Sequence, residues 1–571
     1  MEIEKINING FRNYSSTSIN FDYKTLVIGA NDSGKTNLIQ SMRLLLDKSL
    51  SENDLEPCET DFHIDKDGNQ ADELSIEIHF KNIKAEAVIS ILKGCISNQR
   101  STIFKYKANR SNLSYSIECG PTQELLTEVN NRFYLRHVNL KYVKSSRDLE
   151  KFVGSEKRSL LKTSQERRSE EESEQDQRQL EKISRGLSAV NRRVSRLHYV
   201  ANATSIVNDE LMKLSHDLTS YTVHLDSGAI KTQQFIDNLK LAASTSGSKI
   251  SLGGDGRNNQ ILMALWKAKS QRDYDPDSEA IFYCIEEPEA HLHPHQQRKL
   301  ADYLIQDLPG QTIITTHSPQ IVARYSPESI VNIISSETGS YAASGGCSKC
   351  IHHEWNSLGY RMSILPAEAF FSKCVLLVEG PSELLFYHEL AKQIKIDLDY
   401  YNISILCVDG VQFKVYAKIL DAMQIPWVMR TDNDISKITV DDIELKQLAG
   451  INRCLELAKL DKLKHMSLNT DHKQIMDSGI WHDVSSRINP CGVYIAIVDL
   501  ETDLFNEYPN ELKAFGNTQA DKTAIAFMQD KKATRMREFL HLYGYCLATA
   551  SEGELAKPIK HCRAKVLGDI L

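Results

Sequence analysis

The sequence predicts an α/β protein made of two successive sheet-based modules, the first interrupted by a helical insertion. Three observations carry that prediction. An apolar strand, Lys24–Gly29, runs into a glycine-containing loop and then an amphipathic segment that ends at Leu46. A second apolar strand, Ala280–Ile285, ends in the adjacent acids Glu286 and Glu287. Four further apolar strands between residues 374 and 498 each end in a carboxylate. Short apolar runs alternating with helical periodicity are the pattern of sheets covered by helices.

The 571 residues leave room for several domains with ample core. A formal charge of −8 does not mark a nucleic-acid binder, so any DNA site must be a local basic patch or run through metal ions. Twelve cysteines scattered through ordinary sequence suit reduced thiols in the cytoplasm. The N-terminal Met1-Glu2-Ile3-Glu4-Lys5-Ile6 alternates like a strand and lacks a signal peptide's basic and apolar regions. No apolar run is long enough to cross a bilayer. A cytoplasmic protein without a membrane partner is expected.

The first module opens with strands at Glu4–Ile8, Ser18–Phe21 and Lys24–Gly29, and a helix is expected over Asn37–Leu46. Between strand and helix lies Gly29-Ala30-Asn31-Asp32-Ser33-Gly34-Lys35-Thr36. Backbone N–H groups of such a turn, with the helix N-terminus, cradle a β-phosphate. Lys35 adds a charge on the β- and γ-phosphates, and the Thr36 hydroxyl ligates Mg²⁺, so ATP with Mg²⁺ is the expected cofactor. Asn31, Gly34 and Asn37 belong to the same cradle.

The remaining parts of an ABC-type ATPase follow in order. Glu286 is placed to hold the Mg²⁺ shell and Glu287 to orient or deprotonate the attacking water. A core strand rarely ends in two adjacent carboxylates without such a partner, because burying charge is costly. Strand Gln311–Thr316 delivers His317 towards the γ-phosphate. Ser251-Leu252-Gly253-Gly254-Asp255-Gly256, ahead of an expected helix Asn259–Ala268, stands where a signature loop belongs. Gly254 there lets backbone amides approach a nucleotide held by a partner subunit.

Between cradle and signature, residues 155–197 are strongly polar, with Leu180, Ile183, Leu187, Val190, Val194 and Leu197 at three- and four-residue steps. That is a helix with a narrow apolar stripe, which suits pairing between subunits. The expected segmentation is 1–150 and 246–365 for the ATPase parts, 151–245 for the dimerising insertion and 366–571 for the second module. Near the junction, Cys347-Ser348-Lys349-Cys350 and His352-His353 supply one ligand pair with adjacent histidines. Without a second matched pair the expected reading is a surface turn rather than zinc.

In the second module, Cys374–Val378 ends in Glu379, Ile403–Val408 in Asp409, Trp427–Arg430 in Asp432-Asn433-Asp434, and Val493–Val498 in Asp499-Leu500-Glu501. Glu383 lies in the first turn of the helix after Glu379. Helix caps explain an acid at one or two strand ends, not at all of them. Converging carboxylates repel, and cations between them make the arrangement stable. Mg²⁺ or Mn²⁺ suits an all-oxygen site, and two such ions clamp an in-line phosphoryl transfer.

The pair Glu379-Gly380-x-x-Glu383 and Asp432-x-Asp434 resembles a Toprim domain. Placed behind an ABC-type ATPase, it resembles the overcoming-lysogenization-defect (OLD) family of nucleases, and within it the nuclease subunit of Gabija-type anti-phage systems. Asn31–Asn37, Glu286-Glu287-Pro288-Glu289, Thr316-His317-Ser318-Pro319, Thr431–Asp434, Gly450–Leu455 and Asp499–Leu504 carry the same likeness along nearly the whole chain. The resemblance implies a nucleotide-controlled, metal-dependent DNA endonuclease with a parallel Toprim sheet and helices on both faces. By the same resemblance Glu379 ligates metal and helps activate the nucleophile, and Asp432 and Asp434 hold a metal. Glu383, Asp499 and Glu501 complete a second position. A catalytic lysine falls at Lys532, with Lys531 as the alternative. Implied partners are phage DNA, further copies of the chain in a dimer or tetramer, and a helicase-like second subunit. A DNA-clamping ATPase of the structural-maintenance type is the competing expectation. It requires a far longer coiled coil than this insertion and leaves the acidic strand ends unexplained.

Overall fold

The computed structural model describes the chain except residues 130, 145–153, 155–156, 159–160, 163, 195, 203–204, 206–241, 246–247, 252–276, 291, 348–366, 409, 411, 441–442 and 570–571. The signature loop with Gly254, the expected helix after it, Cys350, His352, His353 and Asp409 therefore lie outside the described residues. The chain divides into two compact units. One comprises Met1–Val143, Asp275–Glu289 and His293–Leu571, and the other comprises Lys144–Tyr274 with Ala290–Leu292.

In the larger unit, Glu2–Phe11 pairs antiparallel with Tyr14–Asn20 and with Glu73–Lys81, starting a six-stranded antiparallel sheet. A second six-stranded sheet has the order Gly339–Ala342, Ile330–Ser336, Lys24–Gly29, Gln311–Thr315, Ala280–Glu286, Val138–Val143. Its strands are parallel except for the hairpin partner Gly339–Ala342. Helix Lys35–Leu46 buries Leu38, Met42 and Leu45 in the core that both sheets share with Ile6, Ile8, Phe80 and Phe282. Those helix positions repeat at three and four residues, the spacing of one helical face.

The C-terminal sheet is fully parallel, in the order Ile403–Cys407, Cys374–Val378, Trp427–Thr431, Val493–Ile495. Along its second strand, Cys374, Leu376 and Val378 face a core with Phe386, Leu390, Ile559 and Cys562. Val375 and Leu377 point the other way and are equally buried, so both faces are covered. The first strand in the chain sits between its two successors. That places the sheet's switch point between Cys374–Val378 and Trp427–Thr431, where open parallel sheets hold their ligands.

One strand is shorter than its sequence suggests. The apolar run 493–498 leaves the ladder after Ile495 because Asp503 accepts the Ile497 N–H, at 3.2 Å to one oxygen, and the Asn433 side chain donates to the Ile497 carbonyl at 3.0 Å. At Ile497 side chains have taken over both backbone groups, while the Ala496 N–H still donates to the Thr431 carbonyl at 3.0 Å and the Val498 carbonyl accepts the Asn433 N–H at 2.9 Å.

The second six-stranded sheet also supports the C-terminal module directly. Helix Phe413–Ala422 ends against it: Asn332 Nδ2 donates to the Met423 carbonyl at 2.9 Å, and Ser344 Oγ to the Ala422 carbonyl at 2.7 Å. Carbonyls at a helix C-terminus lack partners of their own, so these bonds are effective caps. Asn332 pairs in register with Ile28 of the strand that enters the phosphate loop.

A pH dependence is built into the last helix, Lys557–Leu567. His561 is 5% exposed, its Nδ1 lies 2.9 Å from the Tyr494 hydroxyl, and burial, aided by the Lys565 charge, lowers its pKa to about 4. A histidine kept neutral in the fold contributes stability above its unfolded pKa of about 6.5 and loses it as pH falls towards 4. Melting of the protein between pH 7.5 and 4.5 is expected to show a loss of about 2 kcal/mol that His561→Gln lacks. Identical acid profiles would refute this.

In the smaller unit, helix Glu170–Val194 replaces the longer helix expected over 155–197. Its polar first turn carries Glu170, Glu171 and Glu172, and its last turn Arg192 and Arg193, which complements the helix dipole. Ile183, Val190 and Leu197 are exposed. Among the described residues, no helix is long and apolar enough to cross a membrane.

Candidate functional site

The phosphate loop is held from below by side chains. Asn13 Nδ2 donates to the Ser33 carbonyl at 2.9 Å and to Ser340 Oγ at 2.7 Å, and the Tyr14 hydroxyl donates to the Gly34 carbonyl at 3.0 Å. Gly34 has φ 109, and a Cβ there would lie 2.1 Å from Asn13 Nδ2, so only glycine fits. Asn37 accepts from Arg12 at 3.0 Å and donates to Asn13 at 2.7 Å, which makes it a brace of the loop. Arg12 and Asn13 are contributors that motif reading missed. Asn31 and Thr36 are exposed at the mouth. Lys35 is buried, and its Nζ donates to the carbonyls of Gly29 at 2.9 Å and Ala30 at 2.7 Å. Burial lowers its pKa, against the pull of Glu287, Asp32 and Glu286.

Beside the loop, Glu286 accepts from the Tyr142 hydroxyl at 2.9 Å, and its other oxygen is buried without a hydrogen-bond partner. Glu287 has φ 44, in the left-handed region, held by its N–H to the Thr315 carbonyl at 2.9 Å. Its carboxylate lies 3.6 Å from His317 Nε2. Burial and the nearby Lys35 charge lower the His317 pKa, against the pull of Glu287. Glu289 accepts from the Thr316 hydroxyl and the His317 N–H, both at 2.7 Å. It thereby fixes the backbone that carries the histidine.

The second site lies at the switch point of the parallel sheet. One Glu379 oxygen accepts from the Thr431 hydroxyl at 3.0 Å and the Asp432 N–H at 3.2 Å, which joins the two strand ends. Glu383 is buried and accepts the Gly380 N–H at 3.1 Å, and burial raises its pKa. Burial pushes Asp432 up to about 8, with Arg430 opposing and Glu383 and Glu379 adding to the shift. Burial likewise raises Glu501, which is fully buried. Lys532 Nζ lies 3.7 Å from both Asp432 and Glu501, and their charges, with those of Asp499 and Glu383, outweigh burial and raise its pKa. Lys531 makes no ion pair among the described residues.

Two sequence-predicted acids are engaged differently. Asp499 caps helix Leu500–Glu507, accepting the Thr502 N–H at 2.8 Å, and its other oxygen accepts from Gln529 at 2.6 Å. Asp434 is half-exposed and pairs with Arg453 at 2.6 Å. Arg453 also bonds Thr431 and lies 3.7 Å from Glu379, a bridging role that acid-counting did not assign. Its helix, Ala449–Leu457, reaches this close through Gly450, where a Cβ would lie 2.5 Å from the Asp432 carbonyl. A glycine at a helix start directly after a strand was the available signal.

The donor set fits a divalent cation. Asp432 Oδ1 and both Glu501 oxygens are buried without hydrogen-bond partners. Unpartnered carboxylate oxygens are costly to bury, and all-oxygen sets suit Mg²⁺ or Mn²⁺. Among the described residues, no three metal-ligating side chains form a closed cluster. Lys532 and Arg453 instead stand between the acids as internal cations. Of the cysteines near the junction, Cys347 is described, with its Sγ 3.6 Å from Thr25 Oγ1.

Comparison with known proteins matches two domain families along the chain. The AAA ATPase domain family matches residues 1–322, and the overcoming lysogenization defect protein-like TOPRIM domain matches residues 370–434. The chain is 22% identical to Endonuclease GajA of Bacillus cereus (strain VD045) over 576 aligned positions, 95% of each chain. It is 24% identical to the Old nuclease of Escherichia phage P2 over 444 positions, 72% of this chain and 73% of that one. A solved SmcHead bound to the C-winged helix domain of ScpA aligns with a TM-score of 0.39 at 18% identity, over 60% of this chain and 97% of that one.

Proposed function

Because the chain belongs to the AAA ATPase domain family and is an ATPase–Toprim nuclease of the OLD family, we propose that it cleaves phage DNA with divalent metal under nucleotide control. The observation that carries this reading is the set of buried, unpartnered oxygens of Asp432 and Glu501 beside Lys532. Glu379, Glu383, Asp432 and Glu501 are the residues that would hold metal, with Asp434 and Asp499 at its margin. Bound Mg²⁺ or Mn²⁺ supplies charge neutralisation at the phosphate and a more acidic water. Glu379 orients the reacting groups between the two strand ends. Lys532, half-exposed at the mouth, meets the charge developing on the phosphate. Arg453 balances Glu379 and Asp434.

At the other site, Lys35 and the loop amides bind the ATP phosphates, Thr36 and Glu286 would hold its Mg²⁺, and Glu287 with His317 orients water. The capping of helix Phe413–Ala422 by Asn332 supports communication between the sites, since that helix follows the loop whose Gly410 N–H bonds the Glu379 carbonyl at 3.0 Å. The exposed Ile183 and Val190, seven residues apart on helix Glu170–Val194, support self-association into a dimer or tetramer. Likeness to GajA supports a Gabija-type role with a helicase-like partner.

Supercoiled plasmid incubated with the protein and Mg²⁺ or Mn²⁺, with and without ATP, tests the reading. Nicking or cutting that EDTA abolishes is expected. Cleavage undiminished by EDTA would eliminate the metal assignment.

A further inference from the structure

Arg430 occupies an expensive place. It lies in the buried strand Trp427–Thr431, is 3% exposed, and sits two residues before Asp432. A guanidinium is not taken out of water without compensation. Its Nη2 donates to Asp503 at 2.7 Å, and Asp503 is itself nearly buried. Asp503 in turn holds the Ile497 N–H, at 3.2 Å to one oxygen and 3.3 Å to the other. Ile497 and Val498 are the residues that lead into Asp499 and Glu501. The pair thus ties the strand presenting Asp432 to the loop and helix start presenting Asp499 and Glu501. A second tie runs alongside: the Asn433 N–H donates to the Val498 carbonyl at 2.9 Å. Glu383 and Asp432 both lie within the electrostatic reach of Arg430.

We propose that Arg430 is a positioning residue for the nuclease centre, acting through Asp503 to set the separation between the Asp432 and Glu501 carboxylates. It touches neither DNA nor metal. This rests on the metal-site reading above and adds the claim that the register of the ligands depends on one buried ion pair. Groups behind metal ligands typically account for 10–100-fold in affinity. Arg430 also lines a cavity of about 120 Å³ with Trp481, Ser485 and Tyr494.

The test is calorimetric titration of the full chain with Mn²⁺ alone, read beside thermal melting and ATP binding. Arg430→Met leaves Asp503 buried and unpaired, which threatens folding, so Arg430→Met/Asp503→Asn, which removes both charges, is measured with it. Both are expected to weaken Mn²⁺ binding 10–100-fold while ATP binding holds, with the double variant no worse than the sum of its parts requires. Arg430→Lys, a cation without the planar fork, is expected to recover part of the loss. A double variant that melts cooperatively and binds Mn²⁺ within threefold of wild type overturns the proposal while leaving the metal site intact. A wild-type chain that binds no Mn²⁺ removes the metal reading and this inference together.

Discussion

Glu379→Gln is expected to reduce metal-dependent DNA cleavage by about 10²–10⁴-fold, equivalent to about 3–5 kcal/mol of transition-state stabilisation. The amide is nearly isosteric, and its oxygen accepts the same bonds from Thr431 and the Asp432 N–H that the carboxylate accepts now. The junction between the two strand ends therefore survives, and only the charge is lost. Single-turnover nicking of supercoiled plasmid, with melting and ATP binding as controls, measures the effect. Undiminished cleavage by a folded Glu379→Gln chain would move the active centre away from the switch point of this sheet. Loss of ATP binding in the same variant would show a defect of folding rather than of chemistry.

The second large effect is expected at the phosphate loop. Lys35→Ala should weaken ATP roughly 100-fold, about 3 kcal/mol, the worth of a charge-assisted contact to a phosphate. In the structure the ammonium bonds the carbonyls of Gly29 and Ala30, both of which face the cradle. The fold does not depend on those bonds: Asn13, Tyr14 and Asn37 brace the loop independently. Titration with a fluorescent ATP analogue gives the affinity, and wild-type affinity in the variant would refute the assignment. The same variant reads out control of the nuclease. Its cleavage should no longer respond to added ATP, in whichever direction the wild type responds.

The fold was readable because its signals are local. The strand–loop–helix at Lys24–Leu46 and the acidic ends of the parallel strands follow from apolar runs meeting residues that cannot stay buried alone. The candidate site was readable to the same depth, and Glu379, Glu383, Asp432, Glu501 and Lys532 converge in the structure. What stayed hidden involves partners far apart in the chain. Nothing near Asp499 announces that Gln529 occupies one of its oxygens, and nothing near Ile497 announces that Asp503 and Asn433 end its strand. Arg430 stands at the end of the expected strand Trp427–Arg430, and the sequence does not say that Asp503 answers its charge. Nothing in the sequence assigns a partner to Arg12 or Arg453; the fold brings them to Asn37 and Glu379.

The backbone at Glu287 carries a local conformational cost. Its left-handed φ of 44 costs a residue with a Cβ of the order of 1 kcal/mol, and glycine would adopt it freely. A chain refined for durability alone would carry glycine at this turn and lose the carboxylate that faces His317. Glu287→Gly would relieve that local cost and remove the carboxylate 3.6 Å from His317 Nε2, so backbone ease and side-chain chemistry are set against each other at a single residue.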